Sequence, residues 1–209
     1  LENSSAGNRS FVRAAFIPEE AFNAFLDTLN GITMLSLQKK ALTCLFVMAY
    51  RTGLRRGEIL KLKLKDIEQS KERWPFIRNN RYGNNKSSSA LRKIPLTILL
   101  TESESKLFED YLAQKKMLDT HSQALLFSEA QTPHIPLDGN YISTLAKTLL
   151  TEITRFPVIF HLFRHSALSR LQIILENDLE LADTLTPYSR EQIREIQKTL
   201  GRFDNPEVK

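Results

Sequence analysis

The stretch "AYRTGLRRGEILKLKLKDIE", Ala49 to Glu68, carries most of the information about the fold. An apolar run gives out at Gly53, two arginines follow at Arg55 and Arg56, a carboxylate comes at Glu58, and lysines then alternate with leucines. Glycine just past an apolar run is the usual stop of a helix, because it takes the left-handed conformation without a Cβ clash. The preceding "QKKALTCLFVMAYRTG" is apolar on nearly every side, which predicts a central helix buried all round and ending at Gly53. Cys44, among Leu42, Leu45 and Val47, reads as part of that core.

A helix of that kind needs others around it, and the flanks supply them. "IPEEAFNAFLDTLNG" opens with Pro18 and two acids, repeats Phe22, Phe25 and Leu26 at helical spacing, and stops at Gly31. "TESESKLFEDYLAQKKML" carries a capping box, Thr101 with Glu104, and an apolar face of Leu107, Phe108, Tyr111 and Leu112. "NYISTLAKTLLTEI" and "FHLFRHSALSRLQIILEN" are helical by period, "ENDLELADTLTP" reads as an acidic link, and "SREQIREIQKTLG" is a last helix with a capping box at Ser189 and Gln192. Between Ile67 and Leu96 the pattern changes. "RWPFIR" and "LRKIPL" are short candidate strands around the Gly/Asn/Ser-rich "NNRYGNNKSSSA", with Trp74 anchoring the hairpin to the helices. The expected fold is mainly α with a small antiparallel β hairpin or sheet. Residues 1–10 read as a linker and 11–209 as one domain.

At 209 residues, 42% hydrophobic and 25% charged, the composition is that of an ordinary globular chain with a sizeable core. One cysteine excludes an internal disulfide framework, and no run approaches the ~20 apolar residues of a membrane span. A cytoplasmic protein without membrane association is expected. The net charge of +5 is modest but unevenly spread. Residues 51–65 hold Arg51, Arg55, Arg56, Lys61, Lys63 and Lys65 against Glu58 alone, and residues 71–93 hold Lys71, Arg73, Arg78, Arg81, Lys86, Arg92 and Lys93 against Glu72 alone. Together these two segments exceed the net charge of the whole chain, so the rest is slightly acidic. Such concentration fits the phosphate backbone of double-stranded DNA better than it fits solubility alone. The competing reading is a solvated basic face, with Arg55 and Arg56 serving as cations at a helix end.

A third element is "HLFRH", in which His161 and Arg164 share a helix face. Two guanidiniums, from Arg55 and Arg164, can grip the non-bridging oxygens of one phosphate and stabilise the charge of a pentacoordinate transition state. A hairpin lysine can protonate a leaving oxygen, and an imidazole can assist the transfer. No paired acids at ligand spacing and no cysteine cluster suggest a metal site.

These residues resemble a known family. "TGLRRGEILKLKLKDI" is similar to the first arginine box of the tyrosine recombinases (the phage integrases), and "HLFRHSALSRL" to their His-x-x-Arg box. "LLFSEAQTPHIPLDGNYIS" resembles the passage before that box, "KSSSALRKIPL" the hairpin with the catalytic lysine, and "EIQKTLGR" the helix end that normally reads Leu-Gly-His. The resemblance implies a catalytic domain that breaks and rejoins DNA through a 3′-phosphotyrosyl intermediate, without metal or nucleotide cofactor, and that self-associates on DNA. Arg55 and Arg164 become the phosphate-clamping arginines and Glu58 the acid that braces the site. Lys86 becomes the general acid, with Arg81 and Lys93 as rivals, and His161 the first histidine. His165 receives no role. Arg56, Lys61, Arg81, Arg92 and Lys93 are the expected contacts to the flanking DNA backbone.

Two departures accompany the match. Arg202 stands where the family has its second histidine; it can donate to a phosphate oxygen but stays charged, and so is a poor proton shuttle. The family nucleophile, a tyrosine shortly after that position, has no counterpart among Phe203 to Lys209. Tyr50, Tyr111 and Tyr141 sit at core-like positions, Tyr82 at the hairpin tip, and Tyr188 before the last helix in the acidic "ELADTLTPYSREQ", which reads as an insertion. The alternatives are a non-catalytic DNA-binding regulator of the same fold, favoured by Arg202, and a phosphatase-like or RNA-processing enzyme built on the same arginine pair.

Overall fold

The computed structural model describes residues 16–70, 72–82, 91–119, 121, 123–129, 131–176 and 178–201. The expected linker at residues 1–10 and the hairpin tip at 83–90 lie outside them. The helix predicted from "QKKALTCLFVMAYRTG" is α2, Ser36–Thr52, and every residue from Ala41 to Thr52 is buried. Around it stand α1 (Glu19–Gly31), α5 (Glu102–Leu118) and α7 (His161–Leu175), while α6 (Gly139–Thr154) packs on the far side of α1. Aromatic side chains fill the seam. The Phe22 and Tyr50 rings stack at 3.8 Å, Phe25 meets Phe46 edge-on at 4.9 Å, and Phe163 lies between Phe46 and Phe160.

After α2 the chain turns at Gly53 (φ 65°) into α3, Arg56–Leu60. A 3-10 turn at Leu64–Asp66 follows, and the extended backbone here bridges Leu125 through Lys63 and Pro75 through Ile67. The hairpin reduces to β1 (Phe76–Ile77) and β2 (Arg92–Lys93), antiparallel, with Phe76 opposite Lys93 and Ile77 opposite Arg92. Among the described residues the fold is therefore mainly α with one two-stranded sheet, as the sequence patterns imply.

Two local differences have physical causes. The expected acidic link holds a helix, α8 (Leu179–Leu185), capped by Asp178, whose side chain accepts the Leu181 N–H at 2.9 Å. The capping box expected at α9 (Arg190–Leu200) is only half made. Ser189 accepts from the Gln192 N–H, but the Gln192 side chain donates to the carbonyls of Ile98 and Leu100 at 3.0 and 2.8 Å. Those carbonyls end α4, Leu96–Leu99, so a residue expected to serve its own helix ties two helices together. The box at α5 forms in full through Thr101 and Glu104.

Gly53 is where the fold tolerates no side chain. Besides its left-handed φ, a Cβ there would lie 3.2 Å from the Ala167 Cβ and 3.7 Å from the Arg164 Cγ. Gly53→Ala is therefore expected to cost about 2 kcal/mol, from the conformational penalty plus the displacement of α7. Urea denaturation measures it, and a variant as stable as the parent refutes the tight approach of α2 to α7.

Candidate active site

Three segments far apart in the chain meet in one place: the corner between α2 and α3, strand β2, and the first turns of α7. Glu58 is the hub. It is 6% exposed and collects four hydrogen bonds. Its Oε2 accepts the Arg55 backbone N–H at 2.8 Å and Arg92 Nη2 at 3.0 Å; its Oε1 accepts Arg55 Nη1 at 3.2 Å and Arg92 Nη1 at 3.3 Å. Burial pushes the Glu58 carboxyl up, but the bonds from Arg92 and from the Arg55 backbone outweigh it and hold the group below the usual carboxylate range. Arg55 is the residue before α3, in extended conformation, with its side chain about half exposed. Glu58 thus fixes its backbone and one guanidinium nitrogen while leaving the rest of the fork facing outward.

Arg164 enters from α7. Its Nη1 donates to the Gly53 carbonyl, which fixes the side chain against the end of α2. Burial lowers its proton affinity, and the charges of Arg55 and Arg92 lower it further, while Glu58 counteracts them. Those mutual effects place Arg55, Arg92, Arg164 and Glu58 within one electrostatic neighbourhood. His161 begins α7 and is exposed, with its ring edge-on to His165 at 4.6 Å. Partial burial, then His165, Arg164 and Arg55, depress its pKa below 6.5, so the imidazole is neutral near pH 7.

The other expected residues divide. Arg92, read from sequence as a contact to the DNA backbone, braces Glu58. Arg56 holds the fold: its Nη1 donates to the Gly139 carbonyl at 2.8 Å and to the Ser143 hydroxyl, tying α3 to α6. Lys93 pairs with Glu68 at 3.0 Å and lies over the Phe76 ring, and Arg81 lies over the Tyr82 ring at 4.8 Å. Lys61 is half-buried, with its carbonyl accepting from Asn80. Lys86 and Arg202 lie outside the described residues. Several cations counted in the basic segments are structural: Arg51 pairs with Glu19 and Glu104, Arg73 with Glu109, and Arg78 with Asp66. Among the described residues, no group of three or more His, Cys, Asp or Glu is gathered to hold a metal ion, and no helix is long and apolar enough to cross a membrane.

The tyrosines lie mostly in the core. Tyr50, Tyr111 and Tyr188 are buried, donating to the carbonyls of Ile17, Leu126 and Leu99. Burial pushes Tyr188 up to about 12. The Tyr82 hydroxyl donates to the His134 carbonyl. Tyr141, expected in the core, is 47% exposed on the first turn of α6, because Ile142 and Ala146 form the buried face there.

With the geometry in place, the comparisons with known proteins are decisive for the family. The sequence profile of the phage integrase family matches residues 15–178. The chain belongs to the phage integrase family. No curated protein sequence matches this member. Its fold is that of tyrosine recombinase catalytic domains. It superposes on the XerH site-specific recombinase bound to palindromic difH substrate in a post-cleavage complex with a TM-score of 0.58 and 22% identity, over 97% of this chain and 54% of that one. The pre-cleavage complex of XerH with difH substrate gives 0.56 and 20%, over 91% and 52%, and XerA recombinase gives 0.55 and 14%, over 91% and 64%. The chain thus spans between half and two thirds of the length of these solved structures.

Two outcomes are expected of this integrase-family site. A depressed carboxyl stabilises the fold above its unfolded value near 4.5, and that contribution is lost as pH falls through the folded value. Glu58→Gln should therefore cost about 1–3 kcal/mol at pH 7 and less below pH 4, read from urea midpoints across pH; an equal cost at both pH values contradicts the ionised hub. The His161 ring, followed by NMR, should titrate below 6.5, and Arg55→Ala should raise its midpoint by removing one repelling charge. An unmoved midpoint separates the two residues.

Proposed function

We propose that residues 11–209 form the catalytic domain of a site-specific recombinase that cuts and rejoins double-stranded DNA. The observation that carries this reading is the convergence of Arg55, braced by Glu58 and Arg92, with His161 and Arg164 from a segment more than a hundred residues away in the chain. Two partly exposed guanidiniums beside a neutral imidazole suit a phosphodiester: the arginines bond its non-bridging oxygens, and the bonds strengthen as a pentacoordinate transition state gathers charge. A tyrosine oxygen attacks phosphorus, the P–O5′ bond breaks, and a 3′-phosphotyrosyl link forms; the departing 5′ oxygen takes a proton, from Lys86 by family resemblance. His161, neutral, carries protons to or from the phosphate and the nucleophile. Religation reverses these steps, and the covalent link conserves the bond energy. Arg202 contributes a charged donor to the phosphate. Arg81, Lys61 and Lys93 flank the site as contacts to the DNA backbone, and the domain self-associates on DNA because two strands must be exchanged.

The attacking tyrosine is not among the five in this chain. Three are buried with their hydroxyls on backbone carbonyls, Tyr82 is engaged by His134, and Tyr141 belongs to a helix to which the family resemblance assigns no nucleophile.

The chain should accordingly bind duplex DNA with an affinity that falls about a hundredfold or more between 50 and 200 mM salt. It should form no covalent adduct with a nicked suicide substrate on a denaturing gel. An adduct that survives Tyr141→Phe points to another of the four remaining tyrosines, and one abolished by it makes Tyr141 the nucleophile; either overturns this assignment. Salt-insensitive binding removes the phosphate footprint on which the recombinase reading rests.

A further inference from the structure

The last turn of α2 leaves carbonyls to be capped from outside the helix. The Gly53 N–H closes onto the Ala49 carbonyl, and the Leu54 N–H turns to the Thr52 hydroxyl instead of the Tyr50 carbonyl four residues back. The Tyr50 carbonyl is therefore one of the orphan acceptors that every helix C-terminus leaves. It is taken by Arg170 of α7, whose Nη2 donates to it. Six residues earlier on the same helix, Arg164 donates to the Gly53 carbonyl. Two guanidiniums of one helix thus cap the end of another, where the negative pole of α2 favours positive charge. Between them the two helices approach so closely that a Cβ on Gly53 would lie 3.2 Å from the Ala167 Cβ, leaving little freedom for the corner to shift.

Arg170 itself is a costly choice. It is 2% exposed, its guanidinium lies 3.7 Å from the centroid of the Tyr50 ring, and its Nη1 is buried without a hydrogen-bond partner among the described residues. Neighbouring Arg51 uses both its carboxylate partners, Glu19 and Glu104. Burying a guanidinium with a donor unsatisfied works against stability. A well-packed apolar side chain of similar length, such as methionine, would avoid that cost.

We propose that Arg170 is a positioning residue for the phosphate clamp: by holding the Tyr50 carbonyl it fixes the end of α2, and through the Gly53 corner it sets the placement of Arg55 relative to Arg164. The inference rests on the clamp reading above. Arg55 follows Gly53 by two residues, and Arg164 is bonded to Gly53 itself, so both arms of the clamp are built on the segment that Arg170 holds. Loss of the Arg170 bond lets the corner move between the arms. The arms then meet a tetrahedral or trigonal-bipyramidal oxyanion less well, although neither has been altered.

The test uses the chain itself and orthovanadate, an oxyanion that takes the five-coordinate geometry of phosphoryl transfer. Vanadate binding is followed by calorimetry, and the melting temperature of every variant is recorded. Arg164→Ala is expected to weaken binding at least thirtyfold. Arg170→Met should weaken it about tenfold while leaving the melting temperature unchanged or higher. Arg170→Lys, which keeps one donor for the Tyr50 carbonyl, should remain within threefold of the parent. If Arg164→Ala binds vanadate normally, the clamp reading falls and takes this inference with it. If Arg164→Ala weakens binding but Arg170→Met does not, the clamp stands and Arg170 is not its positioner. If binding falls only in proportion to a lowered melting temperature, with Arg170→Lys as impaired as Arg170→Met, Arg170 is a structural residue and the inference is wrong.

Discussion

Like charges crowded around one spot set the terms for the rest of this molecule. Arg55, Arg92 and Arg164 share a neighbourhood in which each lowers the proton affinity of another charged group or of His161. Left alone, guanidiniums at such separations would push the three segments apart. Glu58 offsets the repulsion as the carboxylate that receives both Arg55 and Arg92, and it is buried, where its charge is screened least. Arg164 is held by a different device, the carbonyl at the end of α2. The site is thus stabilised by one anion and one helix pole, and it retains a positive surplus for a ligand to neutralise.

Much of the fold was legible because its signals are local. An all-apolar segment ending at Gly53, a Thr101–Glu104 box and the 3.6-residue spacing of Phe22 and Phe25 each declare an element without reference to anything distant. The residues of the candidate site drew attention for a different reason: Arg55, Glu58, His161 and Arg164 sit in short strings similar to those of a known family. What escaped was whatever depends on a partner remote in sequence. Nothing near Arg92 indicates that it faces Glu58, because the cross-strand register and the packing of the hairpin on α3 decide that. Arg56 looked like a surface cation until α6 supplied the Gly139 carbonyl and the Ser143 hydroxyl. Gln192 matched a capping pattern, yet the carbonyls of Ile98 and Leu100 competed successfully for its amide. Counting charge also misled in detail, since Arg51, Arg73 and Arg78 are consumed by carboxylates within the fold.

The buried ion cluster around Arg51 shows how such a core is held together. Its guanidinium bridges Glu19 at the start of α1 and Glu104 at the start of α5, and the Tyr50 and Tyr188 rings lie against it. The two acids stand at helix N-termini, where the macrodipoles already favour negative charge, so each does double service. One cation at the end of α2 thereby fixes the starts of two neighbouring helices.

Cys44 has a practical consequence of another kind. Its thiol is buried in α2, its hydrogen points toward the Leu107 carbonyl, and burial raises its pKa far above neutrality. Thiolate is the reactive species, so this sulfur is nearly inert to maleimides and mild oxidants while the fold is intact. The chain is accordingly a ready host for a single engineered surface cysteine. A spin label or fluorophore attached there reports local motion without competing signal, and the exposure of Cys44 to a thiol reagent becomes a direct clock for opening of the core.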